Sequence, residues 1–234
     1  MQLERILQRE GFGSRKECRA LIRAGRVSLA GAPCHDPFAD CAENLAFTID
    51  EADWQARAQV YLMLHKPAAY ECSRKPGAYP GVLDLLPAPL RRRGVQPVGR
   101  LDADTTGLLL LSDDGAFIHR LTSPRHGVDK VYEVTVKHAI EAALIDALDE
   151  GVLLRDESTP TAAAGCVALD SHRLRLTLRE GKYHQVKRMI AAAGNRVVAL
   201  KRVAVGGLAL PDDLVCGDWR WLDAAELASL ERPT

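Results

Sequence analysis

No excess of either charge marks this sequence: Lys plus Arg number 31 and Asp plus Glu number 31. A generic polybasic nucleic-acid binder is therefore not what the composition describes. The six cysteines, Cys18, Cys34, Cys41, Cys72, Cys166 and Cys216, contain no C-x-x-C pair, which argues against a zinc site and against a dense secreted disulfide framework. No apolar run approaches the roughly 20 residues that cross a bilayer, and Met1-Gln-Leu-Glu-Arg5 lacks the apolar core of a signal peptide. Neither a Walker sequence nor a G-x-G-x-x-G loop occurs, so neither ATP nor NAD is implied. The expectation is a soluble, cytoplasmic protein.

What is present is a core-forming chain with uneven charge. Its 234 residues are 47% apolar, enough for one large or two modest domains. Residues 1–35 hold seven Lys/Arg against three acids, residues 36–59 hold one Arg against six acids, and the remainder is close to balanced. A basic head precedes a neutral body.

Leu3, Ile6 and Leu7 have helical spacing, and Ser14-Arg-Lys-Glu17 is a capping box that predicts a second helix with Cys18, Leu21 and Ile22 on its buried stripe. Gly25 suits a left-handed cap, with strands expected at 27–29 and 45–49. Arg15, Arg19, Arg23 and Arg26 fall away from the apolar stripe. They read either as a solvated face or as a phosphate-contacting one. The polar, aperiodic stretch 52–58 reads as a linker. Beyond it, strands are expected at 60–64, 107–111, 131–136, 174–178 and 197–200, with helices at 114–122, 139–149 and 184–193. Strands and helices mixed this way predict an α+β fold rather than a doubly wound one.

Three stretches carry polar chemistry. In Gly99-Arg100-Leu-Asp102-Ala-Asp104-Thr105-Thr-Gly107, charged residues abut the strand Leu108–Leu111. Asp102, Asp104, Thr106, Gly107 and Asp113 match EF-hand positions, but four leucines fill positions 7 to 10 and Pro97 stands where an entering helix belongs, which excludes a calcium loop. The residues alone leave open whether Asp102 is functional or makes its own turn. In Lys130-Val-Tyr132-Glu-Val134-Thr-Val136, alternation puts Lys130, Tyr132, Val134 and Val136 on one face; Tyr132 by itself fits a half-buried strand aromatic equally well. In Glu180-Gly-Lys-Tyr-His184-Gln-Val186-Lys187-Arg188-Met189, a wheel of 100° per residue from Val186 puts Lys187 at the border of the buried side and points Arg188 away. Lys187 is thus the better placed of the two to reach inward.

Together these motifs resemble the RsuA-type pseudouridine synthases, and Ser14-Arg-Lys-Glu-Cys-Arg-Ala-Leu-Ile-Arg-Ala-Gly25-Arg-Val27 resembles the S4 RNA-binding domain that precedes the catalytic domain in that family. Within the family, Tyr70-Glu-Cys72-Ser73, Thr122-Ser-Pro-Arg125-His126 and Tyr183-His-Gln-Val-Lys187 are similar to the branch acting on 16S rRNA. The resemblance implies an S4-like domain over 1–55, a linker to about 58, and a catalytic domain over 59–234 with a mixed, largely antiparallel sheet flanked by helices. It implies Asp102 as the nucleophile that detaches uracil at C1′, Tyr132 stacked on the base, and Lys187 paired with the aspartate where many relatives have arginine. No metal or cofactor is implied. RNA contacts are expected from Ser14, Arg15, Lys16, Arg19, Arg23, Arg26, Arg100, Lys130 and Arg188. The expected partner is 16S rRNA or a small-subunit assembly intermediate, with the protein a monomer that engages no membrane. A 23S rRNA enzyme, a non-catalytic S4-type assembly factor and a hydrolase pairing Asp102 with Asp104 are the rival readings.

Overall fold

The computed structural model describes residues 1–155 and 157–232. The chain divides into two compact units, Met1–Tyr61 with Leu83–Gln96 and Ser112–Asp114, and Leu62–Val82 with Pro97–Leu111 and Gly115–Thr234.

In the first unit α1 (Leu3–Arg9) and α2 (Arg15–Arg23) share a core with the antiparallel strands β1 (Val27–Leu29), β2 (Ala32–Pro33), β3 (Ala46–Ile49) and β4 (Ala52–Gln55), ordered β2-β1-β3-β4. Leu3, Ile6, Leu7, Cys18, Ile22, Val27, Phe47 and Ile49 form that core. The capping box is present: Ser14 Oγ accepts from the Glu17 amide, and the Glu17 carboxylate accepts from the Ser14 amide at 2.7 Å. Gly25 takes φ +70°, a conformation that costs a side-chain-bearing residue energy. The linker expected from residue 52 is corrected here, because Ala52–Gln55 is a strand laddered to β3 and the irregular chain starts only after Gln55.

Glu10 is fully buried, which an unpaired carboxylate does not tolerate. Its oxygens accept from Arg93 Nη1 at 2.7 Å, the Arg57 amide at 3.1 Å, Trp54 Nε1 at 3.3 Å and Arg9 Nε at 3.3 Å. Arg93 Nε also donates to Asp113 at 2.6 Å. This ion-pair hub binds the segment Leu83–Gln96 into the unit.

The rest of the chain supplies β5 (Tyr61–Lys66), α3 (Ala88–Arg92), β6 (Gln96–Pro97), β7 (Thr106–Ser112), α4 (Gly115–Thr122), β8 (Lys130–Val136), α5 (Ala142–Glu150), β9 (Gly165–Ala168), β10 (Arg173–Leu178), α6 (Gln185–Ala192), β11 (Val197–Val205), β12 (Leu208–Ala209), β13 (Trp219–Trp221) and α7 (Ala224–Ser229). Its sheet runs β13-β5-β7-β11-β8-β10-β9, with β12 beside β11 and β6 beside β7. β11 lies parallel to β7 and antiparallel to β8, so the sheet has mixed orientation, as expected. Leu108–Leu111 are all at most 1% exposed, the continuous apolar run of a strand covered on both faces. Gly107 has φ +104°, and a Cβ there would fall 2.2 Å from the Arg202 carbonyl oxygen. Only glycine lets β7 approach β11 so closely. α6 buries Val186, Met189 and Ile190.

Candidate active site

The Asp102 turn enters β7 directly, and it is held from below by a lysine. Lys66 is fully buried and donates from Nζ to three carbonyls, those of Pro67 (2.9 Å), Ala103 (3.1 Å) and Thr105 (2.9 Å). Burial pulls its pKa down, and the charges of Cys72, Asp104 and Asp102 oppose that shift. The Ala69 amide adds a bond to the Ala103 carbonyl at 2.8 Å, and the Thr105 amide closes the turn on the Asp102 carbonyl at 3.1 Å. An ammonium with three acceptors fixes the backbone that follows Asp102, at Ala103 and Thr105, against that of Pro67.

Lys187 meets this turn from α6. Its Nζ lies 2.9 Å from Asp102 Oδ2 and 2.6 Å from Asp104 Oδ1, as its place on the helical wheel predicts. Desolvation acts against the charged forms. The hydrogen bonds and opposite charges outweigh it, leaving the Lys187 pKa raised and that of Asp104 lowered. Asp102 is 28% exposed, so one face of the carboxylate stays open.

Sequence reasoning assigned no role to His184. Its Nε2 lies 3.4 Å from Asp102 Oδ1, and its ring stacks on Tyr183 at 3.8 Å. The residue has φ +47°, ψ +34°, an uncommon conformation for a non-glycine residue that clusters at functional sites. The signal available was its position directly before the Gln-Val-Lys helix start. Thr105 is the other omission. Its Oγ1 is buried at the cleft with no hydrogen-bond partner among the described residues.

Asp102, Lys187, His184, Tyr132, Arg100 and Lys130 line one cleft of about 660 Å³. Tyr132 is 8% exposed, between β10 and β11 through Leu176 and Arg202. Lys130 donates to the Val128 carbonyl at 2.7 Å, and burial, then the charge of Arg202, brings its pKa down to about 8 against the opposing effect of Asp129. Arg100 is exposed. Arg188 is not part of the cleft lining and donates to the Tyr183 carbonyl at 3.4 Å. At the rim, Tyr79 and Tyr183 are 47% and 75% exposed. Glu71 gathers the loop below Tyr79 by accepting from the amides of Gly77, Ala78 and Tyr79 at 3.0–3.1 Å, bonds that lower its pKa.

The basic head is less free than its sequence implies. Arg19 grips the buried Glu4 with both Nε and Nη2, Arg15 lies 3.9 Å from the same carboxylate, and Arg26 pairs with Asp50. Ser14 serves as the helix cap. Lys16 and Arg23 are exposed and make no ion pair among the described residues.

A carboxylate held by a lysine in a cleft with a buried tyrosine and exposed aromatics suits an enzyme that works on a nucleobase without an acid–base triad. The model of the family "RNA pseudouridylate synthase" matches residues 60–192. A "Ribosomal small subunit pseudouridine synthase A" of Pasteurella multocida is 46% identical, over 99% of this chain and 100% of that protein. The Escherichia coli K12 protein of the same name is 38% identical over 98% of this chain and 100% of its own. A solved structure described as a pseudouridylate synthase superposes with a TM-score of 0.71 at 35% identity, covering 98% of this chain and 99% of the other. This chain belongs to the RNA pseudouridylate synthase family.

Proposed function

We propose that this protein isomerises a uridine of small-subunit (16S) rRNA to pseudouridine, with Asp102 as nucleophile. The observation that carries the reading is the Lys187 ammonium bridging Asp102 and Asp104 at the edge of the cleft. The ammonium fixes the orientation of the carboxylate, and a carboxylate attacks without a separate base to activate it. In the reaction an Asp102 carboxylate oxygen bonds to C1′ as the C1′–N1 glycosidic bond breaks, the freed uracil anion turns, and C5 attacks C1′, forming the C1′–C5 bond as the carboxylate leaves. The C5 proton leaves and N1 gains one, so atoms and electrons balance with no cofactor.

Tyr132 supplies the stacking surface for the base, and Arg100 holds the extruded nucleotide. Extrusion costs a few kcal/mol, which base stacking on Tyr132 and the rim aromatics Tyr79 and Tyr183 offsets, since such stacking contributes about 1–3 kcal/mol per base. The head, residues 1–55, acts as an S4-like module that docks structured RNA through Lys16 and Arg23, with Arg15 beside them. The names of the full-length relatives favour the small subunit over a 23S target.

The test is chemical mapping of pseudouridine in 16S and 23S rRNA, and in a partly assembled small subunit, after incubation with wild type and with Asp102→Asn. One new 16S site made only by wild type is the expected result. A 23S site transfers the protein to the large-subunit reading, and modification by Asp102→Asn sinks the nucleophile assignment.

A further inference from the structure

A second cavity, of about 510 Å³, opens beside the cleft, and Leu121 lines both. Its wall carries Arg120, Arg125, His126, Arg179 and Arg232 against two acids, Asp129 and Glu231. Arg179 is aimed rather than loose. Its Nε donates at 3.0 Å to Asp129, a carboxylate only 7% exposed, while 64% of the arginine side chain stays in solvent. Arg120 reaches Glu231 only at 3.5 Å. Arg125 and Arg232 are exposed and make no ion pair among the described residues.

Arg125 and His126 ride on the 3-10 turn Pro124–His126, closed by Gly127 at φ +55°. They belong to the Thr122-Ser-Pro-Arg125-His126 motif, to which the reaction in the cleft assigns no work. Four guanidinium groups around one cavity, with two carboxylates to balance them, leave an uncompensated positive field. Guanidinium recognises phosphate with a planar fork of donors. Thr122 and Lys130 line the cleft, whereas Arg120, Arg125 and Asp129 line the second cavity, so the arginines stand directly beside the cleft.

We propose that this arginine basin binds a backbone phosphate of the RNA strand flanking the target uridine and so sets the register in which that uridine enters the cleft. The inference rests on reading the cleft as the uridine site. Phosphate contacts position a nucleic acid, and each one released as a counterion term steepens the salt dependence of binding.

The experiment compares wild type, Arg125→Glu and the double variant Arg125→Ala/Arg232→Ala, all at exposed positions, for 16S rRNA binding across salt concentration, saturated single-turnover rate and phosphate-ethylation interference. Expected are an affinity lower by about tenfold, a log–log salt slope shallower by about one, a saturated rate within about twofold, and loss of interference at a phosphate near the target. Unchanged affinity and slope in both variants overturn the basin as a phosphate site. A lower saturated rate at unchanged affinity also overturns it, by placing the arginines in the chemistry. If wild type leaves 16S rRNA unmodified, the substrate reading fails instead, whatever the salt slopes are.

Discussion

At the scale of single residues, the cleft is a set of nitrogen atoms arranged around one carboxylate. Replacing Lys187 by Met removes the ammonium bonded to Asp102, and a preorganised electrostatic partner of this kind is worth about 10²–10³ in rate. Lys187→Met should lose activity on that scale, while Lys187→Arg keeps most of it, read as single-turnover rates at saturating RNA. His184→Gly isolates the imidazole cleanly, because glycine occupies φ +47° without strain. A several-fold slower saturated reaction with unchanged RNA affinity is expected, and an unchanged rate removes His184 from the site's chemistry. Lys130 offers a pH test. Its folded pKa of about 8 lies below the ordinary 10.5, so between those values the unfolded chain binds more protons and stability rises with pH. The penalty is fully present below pH 8 and relieved by about 10.5. Lys130→Met should therefore be more stable than wild type at pH 7, by up to about 3 kcal/mol, and the difference in urea midpoints should shrink toward pH 10.

At the scale of elements, strongly periodic segments were legible and polar ones were not. The capping box at Ser14, the leucine run of β7 and the stripe of α6 each carry a local pattern that fixes their structure. β4 does not. Ala52-Asp-Trp54-Gln55 is too short and too exposed to signal a strand, with Ala52 exposed and Trp54 only half-buried, and it is a strand because β3 offers a ladder across the turn at Asp50-Glu51. The inward reach of Lys187 followed from helical geometry. The three-carbonyl seat of Lys66 did not, because residues 37 and 39 positions further along the chain complete it. Gly107 shows how tightly elements constrain the site. Gly107→Ala places a methyl group against the Arg202 carbonyl at a positive φ, and we expect a loss of about 2–4 kcal/mol, measured by urea unfolding, with activity falling because the Asp102 turn is anchored at the start of β7.

At the scale of the whole molecule, charge is spread so that few of the basic side chains in residues 1–35 are available to RNA. With Arg19 and Arg26 occupied by Glu4 and Asp50, the docking reading predicts that Lys16→Glu/Arg23→Glu weakens 16S rRNA binding at physiological salt and makes its salt slope shallower by about 1.5. An unchanged slope assigns the electrostatic contact to other surfaces. Deleting residues 1–55 is a poorer test of the same idea. It removes Glu10 and leaves Arg93, whose side chain is 4% exposed, with a buried charge half satisfied, a defect that costs about 3–5 kcal/mol.

The Glu10 hub also bears on how such a protein can be recombined. Its four donors come from residues 9, 54, 57 and 93, so a head transplanted from another protein must bring both a carboxylate at the end of its first helix and an indole on its last strand. A chimaera joined at residue 58 without them carries a mismatched arginine into every folded molecule, and heads of this kind should exchange only together with the segment around Arg93.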